Sequence, residues 1–123
     1  MSLLLDTHAL LWWLAGDELS AEATDEIANP DNLIYVSSVT TWEISIKQAL
    51  GKLTVMGDLA SAVAEDFEPL AITHGHARLA GELPTHHRDP FDRMLIAQAQ
   101  IEGLTLVTRD DKFRPYGVAL LAA

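Results

Sequence analysis

The sequence predicts an α/β fold with three layers, in which a parallel central sheet lies between two layers of helices. Five short runs are almost continuously apolar, which is typical of strands that are buried on both faces of a parallel sheet. Segments with a helical spacing of apolar residues separate these runs, as expected where helices connect parallel strands. With 123 residues, 49% of them hydrophobic and 21% charged, we expect a single domain that covers residues 1–123.

The first half of the chain is predicted to contain two strands, each followed by a helix. The run LLLD (3–6) predicts the first strand, and THALLWWLAG continues as a helix with at least one of its tryptophans in the core. Ser20 is a candidate N-cap for a further helix that breaks at NPDN. LIYVS (33–37) is β-branched and aromatic and predicts the second strand, and the helix after it should stop near Gly51.

The second half is predicted to contain three more strands and three more helices. The helix at 90–102 is predicted to be closed by Gly103, which follows it directly. In chain order the predicted elements are a helix in DLASAVAEDF (58–67), a strand in EPLAI (68–72), a helix in THGHARLAGEL (73–83), the helix at 90–102, a strand in LTLVT (104–108), a turn-rich loop in RDDKFRPYG (109–117) and a strand in VALL (118–121).

Composition and charge restrict the class of protein. The chain has no cysteine, which excludes disulfides, thiolate metal sites and a cysteine nucleophile. The apolar N-terminal run lacks a basic leader and is interrupted by Asp6 and His8, and no run approaches the length of a membrane span. We therefore expect a cytoplasmic protein without a membrane partner. The net charge of -10 disfavours nucleic acid unless clustered acids hold divalent cations that reverse the local field.

Four acidic residues are predicted to project toward one end of the sheet: Asp6, Glu43, Asp92 and Asp110. Each follows a strand or lies in the first turns of a helix, and ligands of parallel sheets collect at that edge. Two carboxylates about 5 Å apart repel by roughly 3 kcal/mol at an effective dielectric near 20, so a cluster needs protons or a cation. Oxygen ligands suit Mg²⁺ or Mn²⁺, which can activate water for phosphodiester hydrolysis.

The segment DPFDR (89–93) can also be explained by helix capping alone. Asp89 can be the N-cap with Pro90 at the first helical position, and Asp92 at the third position would then close a capping box. However, the apolar residues three, four and seven positions further on place Asp92 on the buried stripe of the helix. A cap does not need to face the core, which favours a functional role for Asp92.

Structural explanations for Asp6 and Asp110 also remain open. Asp6 could cap the first helix, a role that Thr7 could fill equally well. An idle acid at the end of a buried strand would be costly to desolvate, which favours function at this position. Asp110 could be a turn residue, as could Asp111.

Glu43 and the basic residues near the predicted site carry similar alternatives. Glu43 could complete a capping box with Thr40 and form an i,i+4 pair with Lys47. Four basic residues near the site could contact phosphate or could be solvated surface charges: Lys47, Arg88, Arg93 and Arg109. The histidines at 74, 76, 86 and 87 have neither cysteine partners nor an HExxH spacing, so we expect surface or loop histidines and no zinc site.

Four segments of the chain resemble the acidic segments of the PIN-domain family, and specifically those of VapC-type toxins of toxin–antitoxin pairs. The segments are LLLDTHALLWWL, WEISIK followed by GKL, DPFDRMLIAQA, and LVTRDDKF with the following YGV. They occur in the family's order over nearly the whole chain, and DPFDR with LIAQA is specific for one branch. The resemblance implies metal-binding acids at Asp6, Glu43, Asp92 and Asp110, supported by the hydroxyls of Thr7 and Thr108. Its T-x-D-x-x-F spacing selects Asp110 over Asp111.

The resemblance also implies an activity and partners. It implies a Mg²⁺- or Mn²⁺-dependent endoribonuclease that acts on structured RNA, is inhibited by a cognate antitoxin and forms a homodimer. One alternative is a PIN-like nuclease that acts on DNA, or a protein of this fold with a non-toxin role. A second alternative is an acidic receiver-type signalling domain, which is disfavoured because Asp6 is a lone acid and Ser37 stands where a phosphoacceptor aspartate is needed.

Overall fold

A single five-stranded parallel sheet forms the centre of the computed structural model, which describes residues 1–55 and 57–123. Every strand pairs in parallel with its neighbours, in the order β3-β2-β1-β4-β5. The strands are β1 (Ser2–Leu5), β2 (Leu33–Ser37), β3 (Glu68–Leu70), β4 (Thr105–Thr108) and β5 (Leu120–Ala122). The predicted α/β class with a parallel sheet is confirmed. The strand order differs from the 2-1-3-4-5 order of receiver-type domains, so that alternative is wrong.

Six α-helices and one 3₁₀ helix connect the strands of the described residues. They are α1 (Thr7–Ala15), α2 (Ala21–Ala28), α3 (Ser38–Ala49), α4 (Leu59–Asp66), α5 (His74–Glu82), α6 (Pro90–Glu102) and the 3₁₀ helix Asp111–Tyr116. The 3₁₀ helix replaces most of the loop that was predicted at 109–117. It begins where the Asp110 side chain accepts a hydrogen bond from the Lys112 amide, and it ends at Gly117 in the left-handed conformation.

Helices cover both faces of the sheet. Successive side chains of a strand point to opposite faces, so the apolar strands form one core on each face. Leu3 and Leu5 belong to one apolar cluster, which also contains residues of α1 and α2. Leu4 belongs to a second cluster, which is formed largely by α6. Both tryptophans of α1 are half-buried against the first cluster, in agreement with the expectation that at least one is core. Within the described ranges, no helix has the length and apolarity that a membrane crossing requires.

The topology places a crevice at the carboxyl ends of β1 and β4. β2 and β3 lie on one side of β1, while β4 and β5 lie on the other side. The strand order therefore reverses between β1 and β4, and such a switch point is where ligands bind in open parallel sheets. Leu5 pairs with Val107 there, and the Asp6 amide donates to the Val107 carbonyl at 3.1 Å.

Candidate active site

Asp6 directly follows β1 at the switch point and is buried. Its Oδ1 accepts a hydrogen bond from the Ala9 amide at 2.7 Å, so it is the N-cap of α1, as the capping explanation proposed. Burial raises the pKa of this carboxyl and the nearby Asp110 adds to the rise, whereas the Thr108 hydroxyl and the Ala9 amide lower it. Asp6 therefore caps a helix and also lies within electrostatic reach of a second acid.

Glu43 lies on α3 and is buried beside the residue that follows Asp6. Its Oε1 accepts from the Thr7 hydroxyl at 2.6 Å, and its Oε2 is 2.6 Å from the Lys47 ammonium. The i,i+4 pair with Lys47 is confirmed. The capping box with Thr40 is wrong, because α3 begins three residues earlier and uses Ser37 as its N-cap.

Asp92 lies in the first turn of α6, but its side chain does not cap the helix. Asp89 is the N-cap, and its Oδ1 accepts from the amides of Phe91 and Asp92 at 2.8 and 3.2 Å. The carboxylate of Asp92 instead accepts from Nε2 of His87 at 2.8 Å. Burial, followed by the charge of Asp89, raises the pKa of Asp92 to about 6 against the hydrogen bond from His87, and Asp6 adds to the rise.

His87 is a residue of the site that the sequence did not identify. It lies in a loop as expected, but it is only 6% exposed and is not a surface residue. Its Nε2 is 2.8 Å from Oδ2 of Asp92 and 3.6 Å from Oδ2 of Asp110. The ring meets Phe113 edge-on at a centroid distance of 5.7 Å. His87, Asp92 and Asp110 each offer one atom that could bind a metal ion, and these three atoms lie within 4.8 Å of one another.

The backbone of His87 is fixed by two side chains, of which Tyr116 is distant in sequence and Arg93 is near. Its amide donates to the Tyr116 hydroxyl at 2.7 Å, and its carbonyl accepts from Nη1 of Arg93 at 3.1 Å.

His76 also departs from the prediction of surface or loop histidines. It lies on α5, its side chain is 1% exposed, and its Nε2 is 2.9 Å from Glu102 of α6. Neither His87, in a polar loop, nor His76, on a helix, carries a local signal of such burial.

Asp110 combines the predicted turn role with a place in the site. Its Oδ1 accepts from the Lys112 amide at 2.9 Å, and its own amide donates to the Thr108 hydroxyl at 3.0 Å. Its Oδ2 is the atom near His87. Asp111 instead pairs with Arg114 at 3.3 Å on the surface.

Three of the four basic residues near the site are held by other protein groups. Lys47 pairs with Glu43. Arg93 uses all of its N–H donors on backbone carbonyls, at distances from 2.7 to 3.5 Å. Arg109 donates to the carbonyls of Ala123 and Glu18 and lies 4.0 Å from the ring centroid of Trp12. The remaining one, Arg88, is exposed.

The four predicted acids thus occupy one region but are not equally close. Asp92 and Asp110 each place a carboxylate oxygen within 4.8 Å of a ring nitrogen of His87. Asp6 lies within electrostatic reach of both acids, and Glu43 is joined to the region through Thr7. The raised pKa values of Asp6 and Asp92 reflect carboxylates that are desolvated beside one another, a cost that a divalent cation relieves. The residues present therefore fit Mg²⁺ or Mn²⁺, both of which accept several carboxylate oxygens.

The fold and this site together define a class of protein. It is a parallel α/β domain with a carboxylate site suited to a divalent cation at the switch point of its sheet.

The chain belongs to the PIN domain family, whose sequence profile matches residues 3–118. The chain is similar to the protein named Ribonuclease VapC22 from Mycobacterium tuberculosis (strain ATCC 25618 / H37Rv), with 32% identity over 124 residues. That match covers 94% of this chain and 92% of the relative. The resemblance stated from the sequence motifs is confirmed.

Solved structures of toxin–antitoxin complexes share the fold. The VapBC2 structure from Rickettsia felis, bound to a DNA fragment from its promoter, matches with a TM-score of 0.72 and 20% identity over 98% of each chain. The VapBC-5 structure from Mycobacterium tuberculosis matches with a TM-score of 0.66 and 22% identity, over 99% of this chain and 98% of that one. At these identities the likeness shows the fold.

Proposed function

We propose that this protein is a metal-dependent endoribonuclease that hydrolyses phosphodiester bonds of structured RNA and acts as the toxin of a toxin–antitoxin pair. The observation that carries the proposal is the meeting of Asp92, Asp110 and His87 beside the buried Asp6. If the crevice had no function, apolar residues could line it without the desolvation free energy that buried acids cost. The similarity to a ribonuclease at 32% identity supports RNA as the substrate.

The roles of the side chains follow from their contacts. Asp6, Asp92 and Asp110 would hold Mg²⁺ or Mn²⁺, and Glu43 would complete the acidic set. The ion, when bound, supplies positive charge to the phosphate and lowers the pKa of a bound water. The Thr7 hydroxyl donates a hydrogen bond to Oε1 of Glu43 and so fixes that carboxylate next to the residue that follows Asp6.

His87 has a positioning role in this proposal. The Asp89 amide faces Nδ1 of the ring at 3.5 Å, which places the ring proton on Nε2. The Nε2–H group then donates a hydrogen bond to Oδ2 of Asp92, which leaves Oδ1 as the oxygen available to a cation. The hydrogen bond therefore orients the carboxylate in the way that outer partners orient metal ligands.

The proposal includes a cognate antitoxin, a homodimer and a cytoplasmic location. Two of the solved structures with the same fold are those of VapBC2 and VapBC-5, which supports an antitoxin partner. An apolar hollow of about 460 Å³ between α1 and α4 offers a surface for such a partner, with Leu11, Trp12, Leu14 and Leu59 in its lining. The net charge of -10 suits a basic partner.

The direct test is cleavage of RNA by the purified chain after it has been separated from any antitoxin. We expect cleavage with Mg²⁺ or Mn²⁺, loss of cleavage with a chelator, and loss with Asp6→Asn. Asp25→Asn is a matched control, because Asp25 is an exposed acid of α2, and it should keep full activity. A strand of DNA with the same sequence tests the alternative substrate. Failure to cut either nucleic acid with either metal would contradict the proposal.

A further inference from the structure

We propose that Arg88 and Lys112 form a phosphate subsite, which binds the RNA backbone next to the acidic centre. This inference rests on the proposed function and adds the location of the substrate strand. It starts from the basic residues, because lysine and arginine neutralise phosphates and thereby supply the salt-dependent part of the affinity for nucleic acid. Only 8 of the 123 residues are lysine or arginine, so each of them can be accounted for individually.

Five of these eight side chains are bound to other groups of the protein. Lys47 pairs with an acid of the site, and Arg93 and Arg109 are held by backbone carbonyls. Arg78 and Arg114 form surface ion pairs with Glu82 and Asp111 at 3.0 and 3.3 Å. In the part of the chain that the structure describes, the side chains of the other three make no hydrogen bond or ion pair: Lys52, Arg88 and Lys112.

Two of the three remaining cations line the same hollow. This hollow has a volume of about 400 Å³, and its lining consists of Thr85, His86, His87, Arg88, Asp89 and Lys112. His87 belongs both to this lining and to the acidic site, where its Nε2 contacts Asp92. The Lys112 amide donates to Asp110 at 2.9 Å, so the second cation also comes from a residue bonded to the site. The hollow therefore lies directly beside the acidic centre, whereas Lys52 does not line it.

The charges within the hollow favour an anion. Asp89 is its one acidic lining residue, and the Oδ1 atom of Asp89 already accepts two amide hydrogens at the start of α6. The positive end of that helix dipole further offsets the charge of Asp89. Arg88 and Lys112 are exposed and can turn toward a phosphate, and the guanidinium can bind two of its oxygens at once.

A strand bound in this way would lie across His87. One phosphate would reach the acids of the crevice, and a neighbouring phosphate would contact Arg88 and Lys112. The net charge of the protein is -10 and repels a polyanion. The two cations therefore also select the side from which the RNA strand approaches.

The test measures how salt weakens RNA binding. A fluorescein-labelled single-stranded RNA is titrated with protein in Mg²⁺ at several NaCl concentrations, and binding is followed by fluorescence anisotropy. All proteins carry Asp6→Asn, so that binding is measured whether or not the wild type cuts RNA. Arg88→Gln, Lys112→Gln and the double variant are compared with Lys52→Gln, the matched control. Circular dichroism melts check that each variant is folded.

The logarithm of the association constant falls linearly with the logarithm of the salt concentration. We expect each substitution in the hollow to make this line less steep by about 0.7 and to weaken binding about fivefold at about 0.1 M salt. The double variant should show both losses together, and Lys52→Gln should match its parent. Unchanged slopes for Arg88→Gln and Lys112→Gln, or an equal loss with Lys52→Gln, would overturn the subsite. DNA of the same sequence should bind with the same dependence on the two cations, since a phosphate subsite does not read the sugar.

Failure of the subsite and failure of the nuclease proposal give different results. If the slopes change as expected but the wild type cuts no RNA, the subsite stands and the proposed activity fails. If the wild type cuts RNA and the slopes do not change, the activity stands and the strand lies elsewhere.

Discussion

Two buried histidines of this fold each face a carboxylate, and the two pairs differ in what surrounds that carboxylate. His76 and Glu102 are 2.9 Å apart between α5 and α6, and His87 and Asp92 are 2.8 Å apart at the crevice. The side chain of Glu102 is 42% exposed, whereas that of Asp92 is 20% exposed and lies within electrostatic reach of Asp6 and Asp89. The same pair of groups is therefore solvated in one place and crowded by like charges in the other.

The His76 pair has a complete structural explanation. Its Nδ1 accepts from the Thr73 amide at 3.0 Å and closes the capping box of α5, while Nε2 joins that helix to Glu102 at the end of α6. The His87 pair has no comparable helix to close, because Asp89 already caps α6. The comparison teaches that a buried histidine beside an acid can be fully explained by structure, as His76 is, and that the further acids converging on Asp92 are what distinguish the His87 pair.

The largest expected difference comes from neutralising the two carboxylates in turn. Asp92→Asn should reduce RNA cleavage by on the order of a hundredfold or more, because loss of an outer partner alone typically costs 10- to 100-fold and a ligand costs more. Glu102→Gln should leave the cleavage rate close to that of the wild type. Initial rates in Mn²⁺ at saturating metal measure both. Equal losses in the two variants would remove the distinction between the pairs.

The second difference lies in the pH dependence of stability without metal. Because the pKa of Asp92 is raised from 3.8 to about 6, the folded state binds more protons than the unfolded state in that window. The free energy of unfolding should therefore fall as pH rises through the window, by up to about 3 kcal/mol. Chemical denaturation in a chelator at several pH values measures the loss.

Two variants sharpen that measurement. Asp92→Asn should remove the part of the fall that comes from Asp92 and leave the part that comes from Asp6, whose pKa is also raised, and Glu102→Gln should retain the whole of it. Added Mn²⁺ should restore stability to the wild type above the window by binding the ionised carboxylates. A wild-type curve that rises with pH across the same window would show that Asp92 is not crowded by the other acids.

The third difference concerns the histidines themselves. His87→Leu should lower activity and Mn²⁺ affinity by about 10- to 100-fold, because Asp92 loses the donor that orients it. His87→Gln, which retains an N–H donor on a side chain of similar reach, should recover part of both. His76→Leu should keep activity but lose about 1–3 kcal/mol of stability, since the Thr73 amide and Glu102 lose their partner.

Calorimetric titration with Mn²⁺ separates positioning from mere support of the fold. Unchanged Mn²⁺ affinity in His87→Leu, with loss of stability alone, would make His87 equivalent to His76.

β2 and α6 could be predicted closely because their signals are local, whereas the strand predicted at 118–121 begins two residues later, as β5 (Leu120–Ala122), and the strand predicted at 68–72 ends two residues earlier, as β3 (Glu68–Leu70). The structure gives LIYVS the predicted bounds as β2, and α6 spans the predicted 90–102 between Asp89 and Gly103. Capping residues and apolar runs act over a few positions, so a short window contains all of the information. The 3₁₀ helix after β4 was not predicted, because its proline and turn residues are equally typical of a loop.

The contacts that shape the site could not be predicted in the same way. Thr7 and Glu43 are 36 positions apart, and His87 and Tyr116 are 29 apart. Arg93 binds backbone carbonyls, which every residue possesses and which therefore leave no trace in the sequence. The acids were proposed as site residues from their placement after strands or in the first turns of helices, which is a topological signal, whereas their partners depend on tertiary packing.

The way in which Arg93 gathers the carbonyls of residues 80–87 has a consequence for motion. The loop cannot lift away from α6 without breaking this set of hydrogen bonds, and α6 contains some of the most buried residues of the protein. Local opening of the loop would carry His87 away from Asp92 and disorder the crevice in the same event. Amide hydrogen exchange in this loop should accordingly follow that of α6, so that the integrity of the crevice and the persistence of the helix are one cooperative property.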